Sequence, residues 1–180
     1  MGKKNRKKTV SASGKPFVSV CTPTYNRRLF IPSLIQCFKS QTYPKEKMEW
    51  IIIDDGDDKV EDLFKGIECV KYFYYPEKMK LGRKRNLMHE KSKGEIIVYM
   101  DDDDFYPPER VNHAVNRLRS SPRAKASGSS IMYIYFKDTE KIFQFGPYGR
   151  SHSTAGTFAF KRELLEETSF DDDADMAEEK

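Results

Sequence analysis

Four consecutive aspartates, Asp101–Asp104, follow the apolar run Glu95–Met100 (EIIVYM). Like charges about 4 Å apart repel by about 4 kcal/mol at an effective dielectric of 20. Such a run at the end of a buried strand calls for protonation or for a cation. Carboxylate oxygens without His or Cys beside them suit a hard divalent ion, Mg²⁺ or Mn²⁺, which keeps waters and bridges to substrate phosphates. One Asp would be enough to cap a helix starting near Pro107; four exceed that need. Two further polar runs sit in comparable places. Thr22-Pro23-Thr24-Tyr25-Asn26-Arg27 closes one apolar run, and Asp54-Asp55-Gly56-Asp57-Asp58 closes another. Complementary charge lies in Lys80-Leu81-Gly82-Arg83-Lys84-Arg85-Asn86, at the opening of a helical stretch. Helix N-termini and Arg forks both favour phosphate oxygens.

The elements that must position these groups are short and alternate in kind. Phe17–Thr22, Glu49–Ile53, Cys69–Tyr74 and Glu95–Met100 are apolar and rich in β-branched or aromatic residues, as buried strands are. Between them, Pro32 opens a helix with Leu34, Ile35 and Phe38 on one face. Val60–Lys65 is a short amphipathic piece, and Gly82–Lys93 a helix expected to be capped by Gly94. This β-α-β-α-β-α-β order predicts an α/β fold, a parallel sheet with helices on both faces. Ligands of such sheets bind beyond the carboxyl ends of the strands, where all three polar runs fall. After residue 104 the pattern changes. Residues 107–122 predict a helix, 129–136 and 141–145 a β-hairpin, and 146–156 a long polar loop. Residues 155–160 then predict a strand and 161–167 a helix.

Together the motifs VSVCTPTYNR, EWIIIDDGDD and LGRKRNLMHEKSKGEIIVYMDDDDFYPPERV resemble the family 2 glycosyltransferases, which have the GT-A fold. The resemblance covers residues 17–111 and continues more weakly through GTFAFKRELLEE. It implies a Rossmann-like nucleotide-binding half over 16–111 and a mixed-strand acceptor half over 112–180, after a disordered basic arm at 1–15. It further implies transfer of a sugar from a nucleotide-diphosphate donor (a UDP-, GDP- or dTDP-sugar) to a hydroxyl of a glycan or other acceptor, with inversion. Carried over by position, Pro23, Thr24, Tyr25 and Arg27 line the nucleotide pocket. Asp54 accepts a hydrogen bond from the base, and Asp101 or Asp102 holds the ribose. Asp103, the second Asp of the D-x-D unit, takes the metal, with Asp102 able to share it. Lys80 and Arg83 assist the leaving diphosphate, while Arg85 of the R-N pair is either an assistant or structural. The general base of the family is an acid at a helix start after the acceptor loop, and the matching positions are Glu179 and then Glu178. In the 146–157 loop, Tyr148, Arg150, Ser151 and Ser153 are candidates to order on donor binding, and His152 is a candidate to touch the acceptor or the metal.

Composition narrows the remaining classes. The chain has 180 residues, 32 Lys+Arg, 28 Asp+Glu and three scattered cysteines. That length suits one domain. Unpaired, scattered cysteines argue against a disulfide scaffold and for a reducing, cytoplasmic setting. No run of about 18 apolar residues is present, so no membrane-spanning helix is expected. The start, MGKKNRKKTV, has neither an apolar h-region nor the Ser or Thr at position 6 of a myristoylation signal. The net charge of +4 is segregated: residues 1–15 carry six bases and no acid, and residues 171–180 carry six acids and one Lys. A nucleic-acid-binding module is therefore disfavoured for the body, whose acid clusters would repel phosphate backbones, and stays open only for the basic arm. A sugar-phosphate nucleotidylyltransferase would carry a glycine-rich loop where TPTYNRR stands. The chain stops directly after the candidate base, before the closing helix usual in the family, so a fragment of a longer protein is expected.

Overall fold

The computed structural model describes residues 14–149 and 152–175. Its centre is a six-stranded sheet of β1 (Val18–Thr24), β2 (Met48–Asp54), β3 (Val70–Tyr74), β4 (Ile96–Tyr99), β5 (Ala126–Ser127) and β8 (Ala159–Lys161), in the order β3-β2-β1-β4-β8-β5. β1 to β4 run parallel, and β8 runs antiparallel to both β4 and β5. β6 (Met132–Phe136) and β7 (Lys141–Phe145) form a separate hairpin.

β2 shows why the sheet is covered on both sides. Successive residues of a strand point to opposite faces, and every residue of β2 is buried. Trp50 and Ile52 join the core under helices α1 (Ile31–Lys39) and α3 (Arg110–Ser120), while Ile51 and Ile53 join the core under α2 (Leu81–Lys91). Trp50 stacks on Phe38 at 4.1 Å and donates its indole N–H to the Thr22 hydroxyl at 2.9 Å. That hydroxyl in turn donates to the Met100 carbonyl at 2.6 Å, so β1 is tied to β2 and to the residue that follows β4. On the other face His89, Tyr99, Phe160 and Phe170 pack ring against ring.

Several sequence expectations change at this level. Arg162–Glu166 is a 3-10 turn, not an α-helix, and its Arg162 guanidinium reaches back to the Gly94 carbonyl and the Ser92 hydroxyl. The strand expected from residue 155 begins only at Ala159, because Ala155–Thr157 is wound into a 3-10 turn. Val60–Lys65 reduces to a 3-10 turn at Glu61–Phe64. Gly94 is not the helix cap; Ser92 is, and Gly94 lies so close to β1 that a Cβ would sit 2.3 Å from the Ser19 nitrogen. β5, two residues long, carries no sequence pattern at all. The three cysteines are free thiols.

Candidate functional site

Parallel register brings the carboxyl ends of β1, β2 and β4 to one rim: Thr24 lies opposite Asp54, and Cys21 opposite Tyr99. Each strand end is fixed differently. Asp54 and Asp55 are both buried, and strand alternation turns them to opposite faces. Asp54 accepts the Gly56 N–H at 2.9 Å and the Val60 N–H at 3.1 Å, and it also accepts from the Tyr72 hydroxyl. Expected to meet the nucleotide base, it is 1% exposed, and these donors hold the β2 loop shut around it. Asp55 accepts the Met79 N–H at 2.7 Å and pairs with the buried Lys84, whose ammonium also donates to the Thr24 carbonyl at 3.1 Å. Lys84 thereby joins the ends of β1 and β2 to the first turn of α2.

The β1 turn closes onto the β2 loop. Asn26 adopts a left-handed conformation (φ +54°), and its side-chain oxygen accepts the Asp58 N–H at 3.1 Å. Gly56 packs against it so tightly that a Cβ would fall 2.5 Å from the Asn26 nitrogen. Arg28 completes the lock through ion pairs to Asp58 at 2.8 Å and Asp62 at 3.0 Å. The acid run 54–58 thus splits into two caged carboxylates, one Arg28 partner and the exposed Asp57.

At the end of β4 the four aspartates take four environments. Asp101 is half-buried and lies 3.6 Å from the guanidinium of buried Arg85, which also stacks over the Tyr99 ring at 4.5 Å. Asp102 is buried, and that burial pushes its carboxyl up to about 6; the Thr24 side chain opposes the shift and the charge of Asp103 adds to it. Asp103 faces outward, 3.4 Å from Arg27, in a pair whose side chains are 42% and 45% exposed. Asp104 accepts from the Tyr106 hydroxyl at 3.3 Å, while that hydroxyl accepts the Asp101 N–H at 2.7 Å. A Cβ on Gly156 would lie 2.8 Å from the Asp104 carboxylate, so the 155–157 turn is laid directly against the acidic turn. Of the four, Asp103 is the one whose carboxylate is paired with an exposed cation.

The remaining candidates fall around this rim. Tyr25 is half-buried with the Lys78 ammonium 4.5 Å over its ring, and Arg27 lies over Phe30 at 5.3 Å. Pro23 is half-buried and Thr24 buried, at the end of β1. Lys80 is the N-cap residue of α2 and Arg83 lies in its first turn, but neither faces open solvent alone. The segment Phe170–Asp175 is docked over them, with Asp175 on Lys80 and Asp172 at 3.5 Å from Arg83. Its backbone is fixed by Asn86, which donates to the Phe170 carbonyl at 2.9 Å, and by the Gly82 N–H on the Ala174 carbonyl at 3.0 Å. Gly82 is required there, since a Cβ would meet the Asp171 carbonyl oxygen at 1.8 Å. Glu178, Glu179, Arg150, Ser151 and most of the basic arm lie outside the described residues. Sequence reasoning missed Asp55, Lys84, Tyr72 and Tyr106 as builders of the rim. The doubled Asp at a strand end was the available signal, because two neighbouring carboxylates on opposite faces need separate partners.

An oxygen-only donor set fits a hard divalent ion. Among the described residues no three of His, Cys, Asp or Glu are gathered into a self-sufficient metal cage. Among the same residues no helix is long and apolar enough to cross a membrane.

The sequence model of the family described as Glycosyl transferase family 2 matches residues 19–169. An uncharacterized glycosyltransferase of Haemophilus influenzae is 30% identical over 106 residues, 56% of this chain and 42% of that protein. Among solved structures, a mannosyltransferase of Pyrobaculum calidifontis in complex with GDP-Man and Mn²⁺ superposes with a TM-score of 0.70 at 21% identity. The match covers 89% of this chain and 49% of that one. TarS 1-349 of S. aureus in complex with UDP-GlcNAc gives a TM-score of 0.65 at 20% identity, covering 89% and 50%. The chain thus spans about half the length, or less, of these relatives.

Proposed function

The chain belongs to glycosyl transferase family 2 and has the GT-A fold, and from that premise we propose that it transfers a sugar from a nucleotide-diphosphate donor to an acceptor hydroxyl with inversion. The observation that carries this reading is the rim itself. An outward carboxylate, Asp103, stands beside an exposed cation, Arg27, above two caged aspartates that fix the surrounding loops. A donor has a nucleoside, two phosphates and a sugar. In this reading the nucleoside lies against Pro23, Thr24 and Tyr25, with Asp54 as the frame of the base pocket. The ribose lies by Asp101 or Asp102, and the diphosphate lies over Asp103.

Asp103 would hold Mn²⁺ or Mg²⁺, with Asp102 next to it. When bound, the ion supplies Lewis-acid neutralisation of the charge that grows on the departing diphosphate. Arg27 exchanges Asp103 for a phosphate oxygen at little cost, because an exposed pair is weak. Lys80 and Arg83 assist by the same exchange, giving up Asp175 and Asp172. Arg85 stays under Asp101 and keeps that carboxylate oriented. The acceptor hydroxyl must lose a proton as it attacks the anomeric carbon from the opposite face, a task for a carboxylate. Glu179 is the proposed base, with Glu178 second.

A Glu179→Gln variant tests the last assignment. It is expected to bind donor like the parent protein and to lose transfer of the sugar to acceptor or water. Full transfer by the variant would remove Glu179 from the mechanism.

A further inference from the structure

Behind the acidic turn, on the side away from α2, a cavity of about 490 Å³ opens between α3 and the outer edge of β5. That size is in the range of small-molecule sites. One wall is α3, through His113, Arg117 and Ser121; the floor is Ser127, Gly128 and Ser130; the far wall is His152 and Ser153. The far wall is pinned in place. The Tyr148 N–H donates to the Ser130 carbonyl and the Thr154 N–H to the Ser129 carbonyl, both at 3.1 Å. A Cβ on Gly128 would be 2.6 Å from Ser153, so floor and wall are in close contact.

The lining has one sign of charge. It holds a guanidinium, two imidazoles and several hydroxyls, and no carboxylate. Arg117 has no ion-pair partner among the described residues, whereas its neighbour Arg119 is turned away to the Gly14 carbonyl at 3.3 Å. A cation near a helix C-terminus is favourable by itself, but that effect needs neither a cavity nor imidazoles facing it. Guanidinium and imidazole donors with hydroxyls around them match a phosphate carried on a polyhydroxyl group.

The cavity is also next to the chemistry. Phe158 lines it and passes its carbonyl to Arg110 at 2.9 Å and to the Tyr99 N–H at 3.0 Å, at the end of β4. The 154–158 turn lies between it and Asp101 and Asp104: a Cβ on Gly156 of that turn would fall 2.8 Å from the Asp104 carboxylate and 3.1 Å from that of Asp101.

We propose that this cavity is a binding site for a phosphorylated polyol or sugar, held by Arg117, His113 and His152, with the 154–158 turn between it and the donor rim. The proposal does not depend on the glycosyl-transfer reading above.

The test is titration calorimetry with glycerol 3-phosphate, glycerol and inorganic phosphate, on the parent protein and on Arg117→Gln and His113→Gln, all three also titrated with nucleotide sugars and Mn²⁺. The expected result is binding of glycerol 3-phosphate over glycerol and over inorganic phosphate. Arg117→Gln should weaken it at least tenfold and His113→Gln measurably, with donor affinity unchanged in both. Both substituted side chains are exposed, so the variants are expected to fold. Absence of glycerol 3-phosphate binding, or binding untouched by Arg117→Gln, overturns the proposal. Equal binding of inorganic phosphate overturns it in favour of a simple anion site. Failure of the donor reading shows separately, as loss of nucleotide-sugar binding in the parent protein with glycerol 3-phosphate binding intact.

Discussion

Lys84 and Asp55 form the most deeply buried ion pair of the rim, with side chains 7% and 0% exposed. Removing one partner of such a pair leaves an uncompensated charge in a low dielectric, which costs about 3–5 kcal/mol. Lys84→Met is therefore expected to lower stability by that amount in urea denaturation, far more than loss of the exposed Lys125–Glu167 pair by Lys125→Met. The reverse ranking would remove Lys84 from its structural role. His89 gives a pH signature at the same scale. Burial, with Arg162 and Arg85 nearby, pushes its pKa down to about 3, from an ordinary value near 6.5. Between those values the unfolded chain binds a proton that the native one refuses. Stability from this group is thus complete above about pH 6.5 and lost as pH falls toward 3, by roughly 1.4 kcal/mol per pH unit. Asp102 acts in the opposite sense from about pH 6 downward, since its raised native pKa favours the protonated native state. The difference between the parent and His89→Gln isolates His89: the parent should lose stability relative to the variant from pH 6.5 to 5, as followed by urea midpoints. Parallel curves would contradict the assignment.

At the scale of elements, the three rim strands were legible because each is a short apolar run ending abruptly in polar residues. β2 is clearest, with EWIII buried throughout and Asp54 at its end. The docking of Phe170–Asp175 on α2 was not legible. Its contacts join residues more than eighty apart, through the Asn86 side chain and the backbone at Gly82, which no periodicity records. Nor did the acid count show that two of those aspartates, Asp172 and Asp175, sit on the very cations expected to meet a diphosphate. β5 and the 155–157 turn escaped for a simpler reason: two or three residues are too few for a period. The docked segment makes a prediction of its own. If Lys80 and Arg83 serve the diphosphate, Asp172 and Asp175 compete with it, and Asp172→Asn with Asp175→Asn should tighten nucleotide-sugar binding several-fold. Because exposed pairs contribute little to stability, the melting temperature should stay nearly constant. Unchanged donor affinity would assign Lys80 and Arg83 to holding the segment.

The whole molecule is organised around one edge-to-edge gradient. The parallel strands β1 to β4 form a core buried on both faces, and their loops cage Asp54, Asp55 and Asp102 while leaving Asp103 outward. Beyond β4 the sheet turns antiparallel and thins to two-residue β5, beside the Arg117 cavity and an exposed hairpin carrying Tyr133, Tyr135 and Ile142 on its surface. A half whose core is covered on both faces therefore adjoins a thinner, more exposed half; in the function proposed above, the first would hold the nucleotide and the second the acceptor. The central claim is that Asp103 binds the donor through a divalent ion, and calorimetric titration of UDP-, GDP- and dTDP-sugars with and without Mn²⁺ tests it most directly. At least one donor is predicted to bind the parent protein in a Mn²⁺-dependent manner and to bind Asp103→Ala at least tenfold more weakly, with the fold intact by circular dichroism. Donor binding that is indifferent to Mn²⁺, or equal in Asp103→Ala, would contradict the account.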